Sequence, residues 1–556
     1  MPSAGRLVRS GALFTAGVIR RMREMLHAQN RNSSDDWMFQ AVRSESLLMN
    51  SSSGTRSSVW LSTAETPERP ALARNDETDV CVVGAGIAGL TTAYLLAKSG
   101  RSVRVLEDGE IGSGETGRTT AHLVNALDDR YYELERMHGE EGARLAADSH
   151  TTAIDQIETI VKEEHIDCDF ERVDGYLFTP PGDDRGTLEK ELRALHRAGL
   201  TQVSLVDRAP LTSFDTGPCL RFPHQAQFHP LKYLRGLANA LERCGGRIHN
   251  GTHVEEIKGG PTARVTTSEG WEVTAKAVVV ATNTPVNDVL TIHTKQAPYR
   301  TYVIGVRVPS GAVPHLLLWD TLDPYHYVRI AQLSDSEEVL IVGGEDHKTG
   351  QGTDMNERFS RLYEWTRERF PGVGEMVYSW SGQIMEPVDG MAFIGHNPGD
   401  TPNVYIATGD SGNGMTHGTV AGILLTDLIS GRENRWRKLY DPSRITMSAA
   451  GEFAKENLNV AAQYVDLVTG GEVDSPDQIK PNTGAILRKG MRKIAAHRDA
   501  SGTLHELTAI CPHLGCVVGW NDTEKTWDCP CHGSRFSADG DVLNGPAISG
   551  LEPPPR

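Results

Sequence analysis

The sequence predicts an α/β domain built on a parallel sheet, joined to a region of alternating strands and ending in a small all-β module. Residues 78–107, TDVCVVGAGIAGLTTAYLLAKSGRSVRVLE, predict the parallel sheet. Residues 299–343 predict the alternating strands, and paired Cys/His boxes at 511–516 and 529–534 mark the module.

Val80 to Val83 is a short apolar run before a glycine turn, the pattern of a buried parallel strand. Gly84, Gly86 and Gly89 follow as G-x-G-x-x-G. The first glycine makes the tight turn, the second lets the backbone approach a pyrophosphate, and the third lets the helix lie close to the strand. Leu90 to Lys98 is that helix, its free N–H groups aimed at phosphates, and Gly100 ends it. Arg101 to Leu106 is a second strand, closed by Glu107, an acid placed for ribose hydroxyls. A glycine motif alone is a weak signal. With strand, helix, second strand and acid at the right spacing, it reads as a dinucleotide site rather than a plain turn.

The chain has 556 residues, room for several domains, and a net charge of −17, which argues against a nucleic-acid partner. No apolar run reaches the length of a membrane-spanning helix, so no integral span is expected. Residues 1–77 are expected to form an N-terminal extension, largely disordered, with 58–74 running extended over the surface. Arg6, Arg9, Arg20, Arg21 and Arg23 precede the first acid, Glu24, around an apolar patch. Two readings stand: a disordered basic tail on a cytoplasmic protein, or a mitochondrial transit peptide. A secretory signal fits less well, because arginines follow the patch.

After Glu107 comes a second run of small and hydroxyl residues, DGEIGSGETGRTTAHL. Small side chains there let a backbone run close to a planar ligand, and threonines can donate hydrogen bonds. This stretch, with FHPLKYLRGLANALERCGGRI (228–248), AVVVATNTP (277–285), WSGQIMEPVDGMAFIG (380–395) and YIATGDSGNGMTHGTVAGILLTDLI (405–429), resembles the D-amino-acid-oxidase-like flavoproteins, the family of glycine, sarcosine and amine oxidases. The resemblance covers about 78–430. It implies a Rossmann-type FAD-binding domain with an antiparallel-sheet substrate domain over the flavin ring.

By that resemblance the FAD contacts are Gly84, Gly86, Gly89 and Glu107, then Gly114, Thr116, Gly117, Arg118, Thr119 and Thr120, with Arg118 offsetting phosphate charge. Val254, Ala281 and Thr282 follow, and Gly409, Gly412, Asn413, Gly414, Met415 and Thr416 form a loop feeding the helix Val420–Ile429. A glycine loop at a helix N-terminus stabilises negative charge, as a reduced flavin ring develops; the alternative is a simple flexible loop. His122 is ambiguous. In some relatives a histidine in this loop carries the flavin covalently; otherwise it is a contact or a buried histidine.

Residues 131–165 and 187–198 read as helices and Cys168–Thr179 as a strand. Tyr299–Val308, Leu316–Asp320, Tyr325–Ala331 and Val339–Gly343 alternate in strand fashion. Tyr325, Tyr327 and Arg329 fall at period two, either a clamp for a substrate carboxylate or ordinary cross-strand pairing. His347 and Gln383 are weaker candidates.

Residues 432–483 read as a connector with one helix, Gly451 to Val468, and 484–556 as the module. Of eight cysteines, four fall in CPHLGC and CPCHGS. These boxes resemble those of a Rieske [2Fe–2S] domain, which implies Cys511 and Cys529 on one iron and His513 and His532 on the other. The same resemblance pairs Cys516 with Cys531 in a disulfide and makes Gly545, Pro546 and Ala547 the loop over the cluster. Zinc is the rival for such ligands, though the duplicated C-x-H and C-x-x-H pattern favours Rieske. The sequence closes at LEPPPR, where such domains add a last strand.

No second dinucleotide motif appears, so electrons are expected from an organic substrate rather than a nicotinamide. The reading is an FAD-dependent oxidoreductase that oxidises a small molecule, an amine or amino acid at its C–N bond. It passes electrons through the cluster to an unknown acceptor. The alternatives are a cluster that feeds electrons into the flavin, and a non-catalytic redox sensor.

Overall fold

A computed structural model describes residues 56–65, 67–180, 186–287, 292–399 and 402–554. The Arg-rich stretch read as a leader lies outside the described residues.

The first sheet grows from the strand Asp76–Val83, which pairs in parallel with Val103–Leu106 on one side and Glu272–Val280 on the other. Its path runs Phe393–His396, Val404–Thr408, Glu272–Val280, Asp76–Val83, Val103–Leu106, Arg247–His249. Val80, Val82, Val278 and Val280 are all buried, which is why these strands read as continuous apolar runs rather than alternating ones. The first helix begins at Ile87, ahead of Leu90, with Gly86 as its N-cap.

The second sheet has nine strands and sits beside the first. Its long members, Gln296–Pro309, Glu337–Lys348 and Met376–Pro387, pair antiparallel. Leu317–Asp320 instead runs parallel to Glu171–Phe178, so the sheet is mixed rather than purely antiparallel. The parallel pair is the seam where the two halves of the sheet, distant in sequence, meet.

The stretch 58–74 departs from its expected surface path. Ser58 caps a short helix, Val59–Thr63, by accepting the N–H of Leu61. Trp60 is 1% exposed. Its indole Nε1 donates to the carbonyl of Thr119 at 2.6 Å, and its ring lies edge-on to His229 and 5.2 Å from the guanidinium of Arg329. Burial of so large an apolar surface outweighs the weak helical propensity of the stretch.

The connector contains Ala450–Gln463, a helix followed by the 3₁₀ turn Tyr464–Leu467. Gln351 ties the pieces together, its Nε2 donating to Asn459 Oδ1 in the connector and to the carbonyl of Pro530 in the module. The module has a three-stranded sheet, Thr483–Lys489, Arg492–Arg498 and Leu504–Thr508, and a four-stranded one ending in Val542–Asn544. No last strand follows among the described residues, but Leu551 donates to Gly540 and Thr508 to Glu552, which pins the end down. No helix of the described residues is long and apolar enough to cross a membrane.

Candidate active site and metal centre

Two of the three motif glycines leave no room for a side chain. Gly84 has φ +102°, and a Cβ there would lie 2.5 Å from the carbonyl oxygen of Ala281. A Cβ on Gly89 would meet the carbonyl of Gly84 at 2.0 Å. Glu107 holds the turn from the next strand, accepting Ala85 N–H at 2.6 Å and Gly109 N–H at 3.0 Å. Burial pushes its carboxyl up, against the pull of those two donors.

From this turn a cavity of about 330 Å³ extends toward the second sheet. Gly84, Gly86, Glu107, Val254, Ala281 and Thr282 line its first part. Gly114, Thr116, Arg118, Thr119, Thr120 and His122 follow, and Gly412, Asn413, Gly414 and Met415 bring the start of the helix Gly414–Ile429 to it. The concave wall, the side-chain-free turn and the helix N-terminus fit an elongated dinucleotide with a planar head.

Other expected contacts stand behind this wall. Gly89 and Gly117 allow close packing of backbone on backbone, and Gly409 turns at φ +73° against Pro387. The hydroxyl of Thr416 bonds His150 Nδ1. Arg118 lines the cavity but donates to the carbonyl of Ser381, and its charge lies near Glu524 and Glu115 rather than being held for a phosphate. His122 is fully engaged: Nε2 donates to the carbonyl of Val328 and Nδ1 accepts from Thr120. Burial pushes its pKa down to about 3, so the ring is neutral. With both nitrogens bonded, the geometry suits a non-covalent contact.

At the far end Tyr325 and Tyr327 line the cavity with ring centroids 5.3 Å apart. Tyr325 donates to Asp128 Oδ2 at 2.6 Å, and the Tyr327 hydroxyl meets Thr301 Oγ1 at 2.5 Å. Asp128 also packs on Gly412, where a Cβ would fall 2.0 Å from its oxygen. Burial pushes Asp128 up to about 6 and Asp410, also on the wall, to about 7. Arg329 does not join them. Its Nη1 donates to the carbonyls of Thr120, Ala121 and Phe228, so it is no substrate clamp. With the carbonyl of Ile330, which Nε meets, four carbonyls and the face of Trp60 satisfy a buried guanidinium that pairs with no carboxylate among the described residues. His347 stays outside the cavity, bonded to Tyr302 and to the carbonyl of Lys348.

In the module the Cys511 and Cys529 thiols lie within hydrogen-bond reach of each other. Backbone N–H groups of His513 and Leu514 point at the first, and those of Cys531 and His532 at the second. The rings of His513 and His532 sit 5.0 Å apart at 90°. Cys516 and Cys531 form a disulfide, which leaves two thiols and two imidazoles, the donor set of a Rieske centre. His293, from outside the module, packs edge-on to both rings, 5.0 Å from His513 and 6.1 Å from His532.

Buried charges join the module to the flavin-binding half. Arg300 donates twice to Ser381 Oγ, and that hydroxyl donates to Glu524 Oε1 at 2.5 Å. Within the module, Arg535 pairs with Asp528 at 3.0 Å beside this contact. Arg300 and Glu524 are each 1% exposed, so the pair is sealed from water.

Fold and site together define a flavin-dependent oxidoreductase carrying its own iron–sulfur module. The chain belongs to the family described as FAD dependent oxidoreductase, which it matches over residues 79–428, and a Rieske [2Fe-2S] domain matches 471–555. The second match begins ahead of 484 and takes in part of the connector. The chain is 33% identical to the Rieske 2Fe-2S iron-sulfur protein YhfW of Bacillus subtilis, over 89% of this chain and 96% of that one. It is 30% identical to the gamma-glutamylputrescine oxidoreductase of Escherichia coli, over 64% of this chain and 85% of that one. Among solved structures, glycine oxidase from Geobacillus kaustophilus fits with a TM-score of 0.57 at 18% identity, over 67% of this chain and all of that one, a likeness of fold alone. FAD and a [2Fe–2S] cluster are therefore the cofactors.

Sequence reasoning passed over Asp128, Asp410, His293, Arg300 and Glu524. Asp410 lies within the glycine loop 409–416 but was passed over between its glycines; the other four lie in no motif whose spacing carries chemistry, and only the fold brings them to the site.

Proposed function

We propose that this protein oxidises the C–N bond of a small cationic amine and sends the electrons out through its Rieske cluster to a separate acceptor. The observation that carries the substrate half is the acidity of the cavity around Tyr325 and Tyr327. Asp128 and Asp410 face it, and the arginine that would hold a carboxylate is spent on backbone carbonyls. A buried carboxylate gains most from a cationic partner. The name of the Escherichia coli relative, gamma-glutamylputrescine oxidoreductase, agrees with an amine.

When bound, FAD supplies a two-electron acceptor and the cluster a one-electron exit. The residues do the rest. Asp128, oriented by Tyr325, pairs with the ammonium. Asp410, pushed near neutrality, is suited to hold the proton the amine releases before its C–H bond is broken. Tyr327 and Thr301 close the wall beside them. Support for the exit comes from the buried contact of the module with the cavity wall. The cytoplasm is the proposed compartment, with the mitochondrion as alternative; cell fractionation separates them.

An anaerobic screen of amines, amino acids and hydroxy acids, with flavin and cluster spectra followed together, tests this. Amines should bleach the flavin without any external reductant and then reduce the cluster. Bleaching by amino acids or hydroxy acids but by no amine would overturn the substrate reading.

A further inference from the structure

The cavity that starts at the glycine turn is not closed by the flavin-binding half alone. Leu543, Asn544, Gly545 and Ile548, all from the iron–sulfur module, form part of its wall. They share that wall with Asp108, which follows the acid holding the glycine turn, and with His253, which bonds Asp108.

This segment is fastened at both ends. Asn544 Nδ2 donates to Glu115 Oε1 at 3.1 Å, and Glu115 accepts the N–H of Gln383 with its other oxygen. Gly545 packs on the 282–286 turn, where a Cβ would lie 3.5 Å from Val286 and 3.6 Å from the carbonyl of Thr284. At the far end Ala547 N–H donates to Ser534 Oγ, and Ser534 bonds the Cys511 thiol. The backbone of Ile548 meets His253, whose ring also bonds Asp108 at 3.2 Å. One short stretch thus reaches a cluster ligand through Ser534 on one side and lines the nucleotide half of the cavity on the other.

We propose that residues 542–548 of the iron–sulfur module are part of the FAD-binding site, a wall over the nucleotide half of the cofactor. The inference rests on the FAD assignment and is independent of which substrate is oxidised. Linkage then runs both ways. A displaced segment weakens FAD, and bound FAD steadies the module by the same free energy. FAD leaves only when the segment lifts, so retention of the flavin depends on a domain whose own cofactor is iron and sulfur.

Two variants of the full chain test this, each stripped of FAD and titrated with it while flavin fluorescence is followed. Asn544→Asp sets a carboxylate against Glu115, offset in part by Arg535 Nη1, which donates to Asn544 Oδ1 at 3.2 Å, and should raise the FAD dissociation constant about threefold. Ile548→Ser removes an apolar wall residue that is 46% exposed and should raise it about threefold. Cluster content is read separately, from the EPR signal of the reduced protein, and should match wild type in both. In the wild-type chain, adding FAD should raise the temperature at which the cluster's visible absorbance is lost. If Asn544→Asp also loses its cluster, Ile548→Ser decides alone. An unchanged FAD dissociation constant in a cluster-loaded Ile548→Ser, together with a cluster melting temperature indifferent to FAD, overturns the proposal.

Discussion

The side-chain amide of Gln383 donates to the carbonyl oxygen of Gly533 at 3.0 Å. Gln383 lines the flavin cavity, and Gly533 directly follows the cluster ligand His532. Its Oε1 accepts from Thr349, so the amide is held in one orientation. This is a direct bonded link between cavity wall and ligand loop. Gln383→Leu leaves two buried polar groups without partners, at about 1–3 kcal/mol each. We expect a lower melting temperature and slower cluster reduction after mixing with substrate, with the cluster still assembled. Cluster reduction as fast as wild type would mean that electrons do not depend on this contact.

Asp128→Asn separates binding from stability. The buried carboxyl ionises as pH rises through about 6, so affinity for a cationic amine should climb over that range in wild type. In the variant the climb should vanish and KM should rise roughly tenfold, the value of one charged hydrogen bond. A raised carboxyl works against folding: the native state binds more protons than the unfolded one between about 4 and 6, and stability falls as pH rises there. The variant should therefore melt higher than wild type at pH 8, and equally at low pH where both states are protonated. Equal KM values for the two proteins at pH 8 would refute the ammonium pairing.

Arg300→Met takes from Glu524 the arginine that acts on it most strongly. Burial pushes that carboxyl up, but Arg300, Arg118 and Arg535 outweigh it and hold it below the usual range. A depressed carboxyl contributes stability above its unfolded value of 4.5, and that stability is lost as pH falls through the lower folded value. Removing one partner of such a pair costs about 3–5 kcal/mol. Thermal melts should show a large loss near neutral pH that narrows in acid. A melt insensitive to the change would mean that the interface does not need the pair.

Gly86→Val should abolish FAD binding. Even a bare Cβ there would lie 3.1 Å from Thr116 Oγ1, and a branched side chain enters the path along which the cavity begins. Flavin content of the purified variant decides the matter; full occupancy would place the nucleotide elsewhere.

Parts of this protein are legible in the sequence because their chemistry is local. The glycine turn, its two strands and Glu107 lie within one short segment, so spacing alone conveys their geometry. The cluster ligands are legible for the same reason, two boxes with Cys and His at set intervals. Arg329 misleads because period two says which face a strand residue takes, not what waits there; the nearest partners are backbone carbonyls from Thr120, Ala121 and Phe228. Asp128 and Asp410 are silent in the sequence, since an acid in a loop looks the same whether it faces water or a cavity. The interface charges are silent too. Arg300 sits in a strand and Glu524 in a turn, and only docking of the module buries them together.

The short helix around Trp60 carries a practical meaning. Its indole reaches the carbonyl of Thr119, in the loop that lines the flavin cavity, and its face covers Arg329, which grips the next two carbonyls of the same loop. A protein trimmed to begin at the first strand, Asp76, would keep every nucleotide-binding glycine and still leave that loop without its outer brace. Any shortened form made for crystallisation or assay should retain Ser58 onward, because this loop takes its shape from residues ahead of the strand that opens the domain.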